Sequence, residues 1–329
     1  MNGLLLIGKH WLDNFLLPAD VAELAGIVTL DTPPMSPKEL PAHPAALAQA
    51  EIIFTTWGMP KLDDAFLTAA PKLKAVFYAA GSVRGFVTDA SWERGIRIFS
   101  AYAGNAVPVA EYTVATALLS LKRTWTHLFA ARQNEKYLPK DGVPGAYGST
   151  IGLISLGMVA RAVLERLRPF DLRVIAYDPF VTPEEAQRLG VTLVPLDTLF
   201  READVVSLHT PWLKETEGLI TGAHISSMKP GATFINTARG AVVRETEMIA
   251  ALQQRPDLNA VLDVTYPEPP GPNSPLWKMP NVFLTPHIAG SIGPECRRMG
   301  RFMLDELRRY RDGQPPRWEV TRELAARLA

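Results

Sequence analysis

A chain of 329 residues is long enough for about two domains, and 47 % apolar with 21 % charged residues is the usage of a soluble globular protein. Lys plus Arg and Asp plus Glu each number 34, so the formal net charge is zero and composition supplies no field for nucleic acid or an acidic membrane surface. The one cysteine, Cys296, excludes an intrachain disulfide and a thiolate metal cluster.

The apolar run in the opening eleven residues is too short to span a membrane, and no basic segment precedes it. It predicts a first buried strand of a cytoplasmic protein. Strands are predicted at Leu4–Ile7, Ile52–Thr56, Ala75–Tyr78 and Arg97–Phe99, alternating with helices at Ala45–Ala50, Asp63–Ala70 and Ala90–Arg94. Five prolines in Asp31–Pro44 mark an irregular connection. Val107–Leu121, free of proline after Pro108, predicts a buried helix, and Glu135–Tyr147, rich in Pro and Gly, a surface loop.

A domain boundary is predicted near Ala101–Asn105, because a more regular series begins after the long helix. Its strands are Ser149–Ile154, Arg173–Tyr177, Val191–Val194, Val205–Leu208, Thr233–Asn236, Asn259–Asp263 and Val282–Thr285. Its helices are Ala160–Leu167, Pro183–Leu189, Val242–Gln253 and Pro294–Arg311. Strands almost wholly apolar point to a parallel sheet buried on both faces. The charged C-terminal end is expected to lie back on another part of the protein.

Within this series, Ile151–Arg161 runs a strand through a tight turn into a helix. Against the pattern G-x-G-x-x-G/A the key positions are Ser155, Gly157 and Ala160. Gly157 would let the backbone approach a pyrophosphate, Ala160 would let the helix sit close to the sheet, and free N–H groups of the first helical turn would face the phosphates. Ser155 places a Cβ where the turn is tightest. The next strand ends at Asp178, 21 residues beyond Gly157. A carboxylate there can accept from a ribose diol and repel a 2′-phosphate, favouring NAD over NADP. The same residues would also suit an ordinary βα turn with a surface aspartate.

Three further residues come just after strands: Arg239 in Ile235–Gly240, Glu268 in Asp263–Pro269 and His287 in Leu284–Gly290. Ligands of parallel α/β sheets bind beyond the carboxyl ends of strands, so all three are candidates for one cleft wall. An arginine fork suits a carboxylate. A histidine can carry the proton a carbonyl needs, and a glutamate beside it would fix its tautomer. Read singly, they could equally be a surface arginine, a solvated glutamate and a locally packed histidine. Spacing alone does not make them converge.

Taken together, ordered blocks resemble the D-isomer-specific 2-hydroxyacid dehydrogenase family. They are Val109-Ala110-Glu111, the glycine turn, Tyr177-Asp178, His209-Thr210-Pro211 with Glu215-Thr216, Met228–Gly231, Ile235–Gly240, Leu262-Asp263-Val264, Glu268-Pro269 and Thr285–Gly290. The match runs from about Asn105 to Arg298, with a weaker one from Lys72 to Ser100. The resemblance implies an α/β fold of two domains: a Rossmann-type doubly wound parallel sheet at 104–300 and a flavodoxin-like α/β substrate domain at 1–103 with a C-terminal return at 301–329.

It implies a catalytic Arg239, Glu268 and His287, with NAD as cofactor, a small 2-oxo or 2-hydroxy acid as substrate and no metal. It implies closure of one domain on the other and a homodimer formed partly through the helix after Asn105. Cofactor contacts are implied at Ser155, Leu156, Gly157, Met158, Val159, Tyr177, Asp178, His209, Thr210, Pro211, Thr237, Ala238, Asp263, His287, Ala289 and Gly290, with Asp263 near the nicotinamide carboxamide. Substrate contacts are implied at Gly81, Ser82, Val83, Arg239 and His287.

Two departures stand out. Ser155 replaces the usual glycine. The substrate loop, usually G-x-G-x-D, reads Ala79-Ala80-Gly81-Ser82-Val83-Arg84 and lacks the acid. Trp57, Tyr78 and Tyr102 lie at or just past the ends of predicted strands and would either line a pocket or pack in the core. Two other readings remain open on the same fold: a nicotinamide-sensing, corepressor-like interaction protein, and a reductase of another carbonyl substrate.

Overall fold

The computed structural model describes residues 1–135 and 137–327. The chain divides into two compact units, Met1–Asn105 with Ser291–Ala329, and Ala106–Gly290. The joints expected from sequence were 103/104 and 300/301. The contacts put the return ten residues earlier, where Ser291 N–H donates to Asn105 Oδ1 at 2.9 Å. Leu328 and Ala329 of the expected return, and Lys136 of the expected loop Glu135–Tyr147, lie outside the described residues.

Unit 1 begins with four strands, β1 (Gly3–Leu6), β2 (Ile52–Thr55), β3 (Ala75–Tyr78) and β4 (Arg97–Ser100), side by side and parallel. All but the first residues of β1 and β4 are buried, as strands covered on both faces require. Thr29 adds one parallel bridge to Asn2, outside β1, which completes a flavodoxin-like order. Helices at Lys9–Phe15 and Pro18–Ile27 were not predicted. They form because Phe15, Leu16 and Leu24 are buried against the apolar face of this sheet.

The long helix runs Tyr102–Leu121, five residues earlier than predicted and with Pro108 inside it. Tertiary packing extends it: Tyr102 meets Trp318 edge-on at 5.9 Å, and Gly104 lies close to Met299 and Phe302. A second helix, Thr124–Asn134, comes next.

Unit 2 holds β5 (Thr150–Ile154), β6 (Arg173–Tyr177), β7 (Thr192–Leu193), β8 (Val205–Leu208), β9 (Thr233–Asn236), β10 (Asn259–Leu262) and β11 (Val282–Leu284). Their order, β11-β10-β9-β8-β5-β6-β7, is wholly parallel. The reversal at β5 gives the doubly wound Rossmann-type sheet and puts the topological switch between β5 and β8.

The return to unit 1 carries the helix Cys296–Arg311, packed on β3 and β4, and then β12 (Glu319–Val320), antiparallel to β4. Among the described residues no helix is long and apolar enough to cross a membrane.

Candidate active site

The register of the seven-stranded sheet aligns its strand ends. Tyr177 pairs with Ile154, Ile154 with Leu208, Leu208 with Asn236, Asn236 with Leu262, and Leu262 with Leu284. Each closes its strand. The glycine turn, Asp178, His209–Pro211, Arg239, Glu268 and His287 therefore all leave one carboxyl edge, where such sheets bind ligands.

Three of these loops are joined in series. Asn236, buried, shapes the turn after β9: Oδ1 accepts from Ala238 N–H at 3.0 Å, and Nδ2 donates to the Arg239 carbonyl at 3.1 Å. Arg239 Nη1 donates to the Ala238 carbonyl at 2.6 Å. Gly240 then runs against the loop after β10. A Cβ at Gly240 would stand 2.1 Å from the carbonyl carbon of Thr265, so only glycine permits the approach. That same loop carries Glu268, and Glu245 Oε2 steadies it by accepting from Tyr266 N–H at 3.0 Å. Glu268 Oε1 lies 2.7 Å from His287 Nδ1. The Glu268–His287 pair borders a cavity of about 490 Å³ whose wall includes Trp277 and Pro286.

His287 has φ +54, a left-handed conformation that costs a non-glycine residue about 1–2 kcal/mol. Asp263, 2 % exposed, holds it there. Its Oδ1 accepts from the Thr285 hydroxyl at 2.6 Å and Ile288 N–H at 2.8 Å, and its Oδ2 from Ala289 N–H at 2.9 Å. His287 N–H donates to the Asp263 carbonyl at 3.0 Å. Tyr112, whose hydroxyl pKa is raised by burial, reaches Thr285 Oγ1 at 3.0 Å. Asp263 and the buried Ala289 were assigned to the cofactor from the resemblance. Their polar groups brace the histidine loop and fix the amides that follow its left-handed residue.

On the other side of the edge, Ser155 takes φ +71. Its N–H donates to the Tyr177 carbonyl at 2.8 Å, and its hydroxyl lies 2.8 Å from Thr210 Oγ1. Gly157 caps the helix Met158–Leu167, and a Cβ there would meet nothing within 4 Å. Ala160 is fully buried. Asp178 closes the turn: Oδ2 accepts from Leu156 N–H at 2.7 Å and Oδ1 from Phe180 N–H at 2.8 Å.

Leu156, expected among the cofactor contacts, lies inside the glycine turn. Its side chain is buried, its N–H is spent on Asp178 and its carbonyl accepts from Arg161 Nε at 2.8 Å. Thr237 Oγ1 faces Thr113 Oγ1 at 3.3 Å, and the Pro211 carbonyl accepts from the Thr216 hydroxyl at 2.5 Å. Desolvation pushes the His209 pKa down to about 4, and its Nε2 lies 3.1 Å from Ser207 Oγ. Met158 is exposed, while Val159 and Gly290 are half-buried.

The comparisons with known proteins meet this geometry. The family model for the D-isomer specific 2-hydroxyacid dehydrogenase NAD binding domain matches residues 115–289. The chain belongs to the D-isomer-specific 2-hydroxyacid dehydrogenase family. D-3-phosphoglycerate dehydrogenase of Archaeoglobus fulgidus is 32 % identical over 280 residues, 85 % of this chain and 52 % of the relative. The chain thus spans about half the length of that relative. (S)-Sulfolactate dehydrogenase of Chromohalobacter salexigens is 35 % identical over 252 residues, 76 % of this chain and 81 % of the relative. In fold, the chain resembles the NAD-complexed D-isomer specific 2-hydroxyacid dehydrogenase of Lactobacillus delbrueckii ssp. bulgaricus, with TM-score 0.79 at 24 % identity over 97 % of this chain and 100 % of that one.

The residues of this 2-hydroxyacid dehydrogenase family member fit NAD on their own chemistry. The open space at Gly157 lies at a helix N-terminus, which favours a pyrophosphate. Asp178 has accepted two hydrogen bonds of the roughly four a carboxylate can take, leaving capacity for a ribose diol.

In unit 1, the loop with the family's substrate motif is held from behind. The buried Ser100 hydroxyl lies 2.9 Å from the Ala80 carbonyl and 2.6 Å from that of Gly81. A trans peptide sets N–H opposite C=O, so the Gly81 and Ser82 N–H groups face away from Ser100. Among the described residues no protein acceptor takes the N–H of Ser82 or Val83. Val83 was expected to offer its backbone N–H to the substrate, and its side chain, 1 % exposed, packs in the core with Phe86 and Val320. Tyr78 is buried, its hydroxyl pKa pushed up to about 12, and Tyr102 packs against Trp318. Trp57 stays 44 % exposed.

Asn236, Gly240 and Ser100 were missed in the sequence reading. Asn at a strand end and Gly directly after Arg239 were the available signals for the first two. Ser100 offered none.

Proposed function

We propose that the chain interconverts a 2-oxo acid and a D-2-hydroxy acid with NAD. The observation that carries this reading is the 2.7 Å contact of Glu268 Oε1 with His287 Nδ1 on the edge from which Arg239 also rises. With Nδ1 engaged, Nε2 is the ring atom available to give a proton to the carbonyl oxygen in reduction and to take it from the hydroxyl in oxidation. Glu268 fixes the tautomer and orients the ring. Arg239 binds the carboxylate and polarises the neighbouring carbonyl. In unit 1, the N–H groups of Ser82 and Val83 are donors of the kind a carboxylate takes. Gly157 and the helix start would hold the pyrophosphate, and Asp178 the adenosine ribose. NAD, when bound, supplies the hydride chemistry. The two relatives are named for phosphoglycerate and sulfolactate, both of them 2-hydroxy acids, which supports the substrate class. The reading includes a homodimer, supported by the exposed Leu119, Leu128 and Phe129 of unit 2.

NADH oxidation with pyruvate, glyoxylate, hydroxypyruvate, phenylpyruvate and branched 2-oxo acids tests it. Turnover of at least one is expected. His287→Ala should cut kcat by about a hundredfold or more while NADH affinity holds, and Arg239→Ala should raise KM and lower kcat together. Tight NADH binding with no turnover of any acid would reject the enzymatic reading and favour a nicotinamide-sensing interaction protein.

A further inference from the structure

We infer that the acid turned over by this chain carries an aromatic side chain, seated on a shelf formed by Trp11 and Trp57. The inference rests on the proposed reaction and names its substrate class. The strands of unit 1 also end in line: Leu6 pairs with Thr55, Thr55 with Tyr78, and Tyr78 with Ser100. The segments leaving these strands therefore share one carboxyl edge. After β3 comes the amide loop of Gly81, Ser82 and Val83. After β2 come Thr56 and Trp57. After β1 comes the helix Lys9–Phe15, with Trp11 in its first turn. The β2 and β3 loops are bonded to each other, Thr56 Oγ1 to the Ala79 carbonyl at 3.3 Å and Ala79 N–H to the Thr55 carbonyl at 2.7 Å.

The tryptophans are fixed but not covered. Trp57 stands edge-to-face against the fully buried Phe15, with centroids 5.3 Å apart at 71°, and against Trp11 at 6.4 Å and 72°. Even so, Trp11 is 45 % and Trp57 44 % exposed. Two such rings held rigid on the ligand edge of an α/β sheet make an apolar platform.

Its place suits the substrate's third carbon. That carbon is two bonds from the carboxylate carbon. A carboxylate on the Ser82 and Val83 amides would send its substituent over the neighbouring β2 loop, about 4.8 Å away in the sheet. The rings around the shelf, including His10 at 5.8 Å from Trp11, offer faces and edges to an aryl group. A phosphate or sulfonate tail would need charge-assisted donors. The cation of the amide loop, Arg84, instead reaches toward the Ala326 carbonyl at 3.5 Å.

The experiment is a comparison of kcat/KM, with NADH and the full chain, for phenylpyruvate, indolepyruvate, pyruvate and a phosphorylated 2-oxo acid. The aryl acids should exceed pyruvate by about tenfold or more, and Trp57→Ala should shrink the phenylpyruvate-to-pyruvate ratio by a similar factor, chiefly through KM. Trp57→Phe should restore most of that ratio. A wild-type preference for pyruvate or for the phosphorylated acid overturns the shelf, as does an unchanged ratio in a folded Trp57→Ala. Turnover of small acids alone defeats only this inference, whereas silence with every acid defeats the proposed reaction as well.

Discussion

Ser155 and His287 both occupy backbone conformations that glycine adopts without cost, and neither is a glycine. For Ser155 the sequence pattern looked broken, since a motif counts glycines. The chain keeps the left-handed turn at φ +71 all the same. A hydrogen bond worth about 1 kcal/mol, between its hydroxyl and that of Thr210, offsets much of the strain. No local spacing could reveal that partner, which lies 55 residues away. His287 was legible as a candidate, but the four hydrogen bonds that hold its loop through Asp263 were not.

His209 gives a pH prediction at this scale. Its folded pKa, about 4, lies below the ordinary 6.5. As pH falls the unfolded chain takes up the proton first, so the stability tied to the neutral ring is complete above about pH 6.5 and is lost toward pH 4. Urea midpoints measured across that window should fall more steeply for the wild type than for His209→Asn. Parallel curves would remove desolvation of this ring as a cause.

The strands were the most legible elements. Ala75–Tyr78, Val205–Leu208 and Thr233–Asn236 occupy the residues predicted, because strands buried on both faces can hold little that is charged, and Arg173–Tyr177 does so although its first residue is exposed. Helices were less so. Thr124–Asn134 mixes polar, aromatic and apolar residues without a periodic stripe, and neither end has a side-chain cap to announce it. Strand β12 is two residues long and exists only because β4 offers a free edge.

At the level of loops, the joint between the β9 and β10 connections depends on Gly240. Gly240→Ala must push the Thr265 backbone away, and with it the relation of Arg239 to Glu268. The expected outcome is a fall in kcat/KM of about a hundredfold, as displacements near 1 Å produce, with NADH affinity little changed. Wild-type kcat/KM in the variant would show that the two loops act independently.

For the whole molecule, a change in βα rhythm announced two units with a boundary near Ala101–Asn105, and the family resemblance implied that the second is inserted in the first. The first crossing, after Asn105, falls at the edge of that expected boundary, whereas the return at Ser291 lies ten residues before the expected one, since it depends on which side chains meet. The proposed homodimer would draw on the exposed Leu119, Leu128 and Phe129. Light scattering should report about twice the 36.1 kDa chain mass, and Leu128→Glu with Phe129→Glu should halve it. A monomeric wild type would end the dimer proposal.

The bond between Asn105 and Ser291 bears on how such a chain comes together. It ties the point where the insertion leaves to the point where it returns. In a disordered chain, bringing β12 onto β4 means closing a loop that contains all of Ala106–Gly290, and the entropy lost grows with that length. Once the inserted unit has its own fold, its two ends are neighbours and it counts in the closure as a bridge of almost no length. The final strand then completes the first sheet at the entropic cost of a short tail.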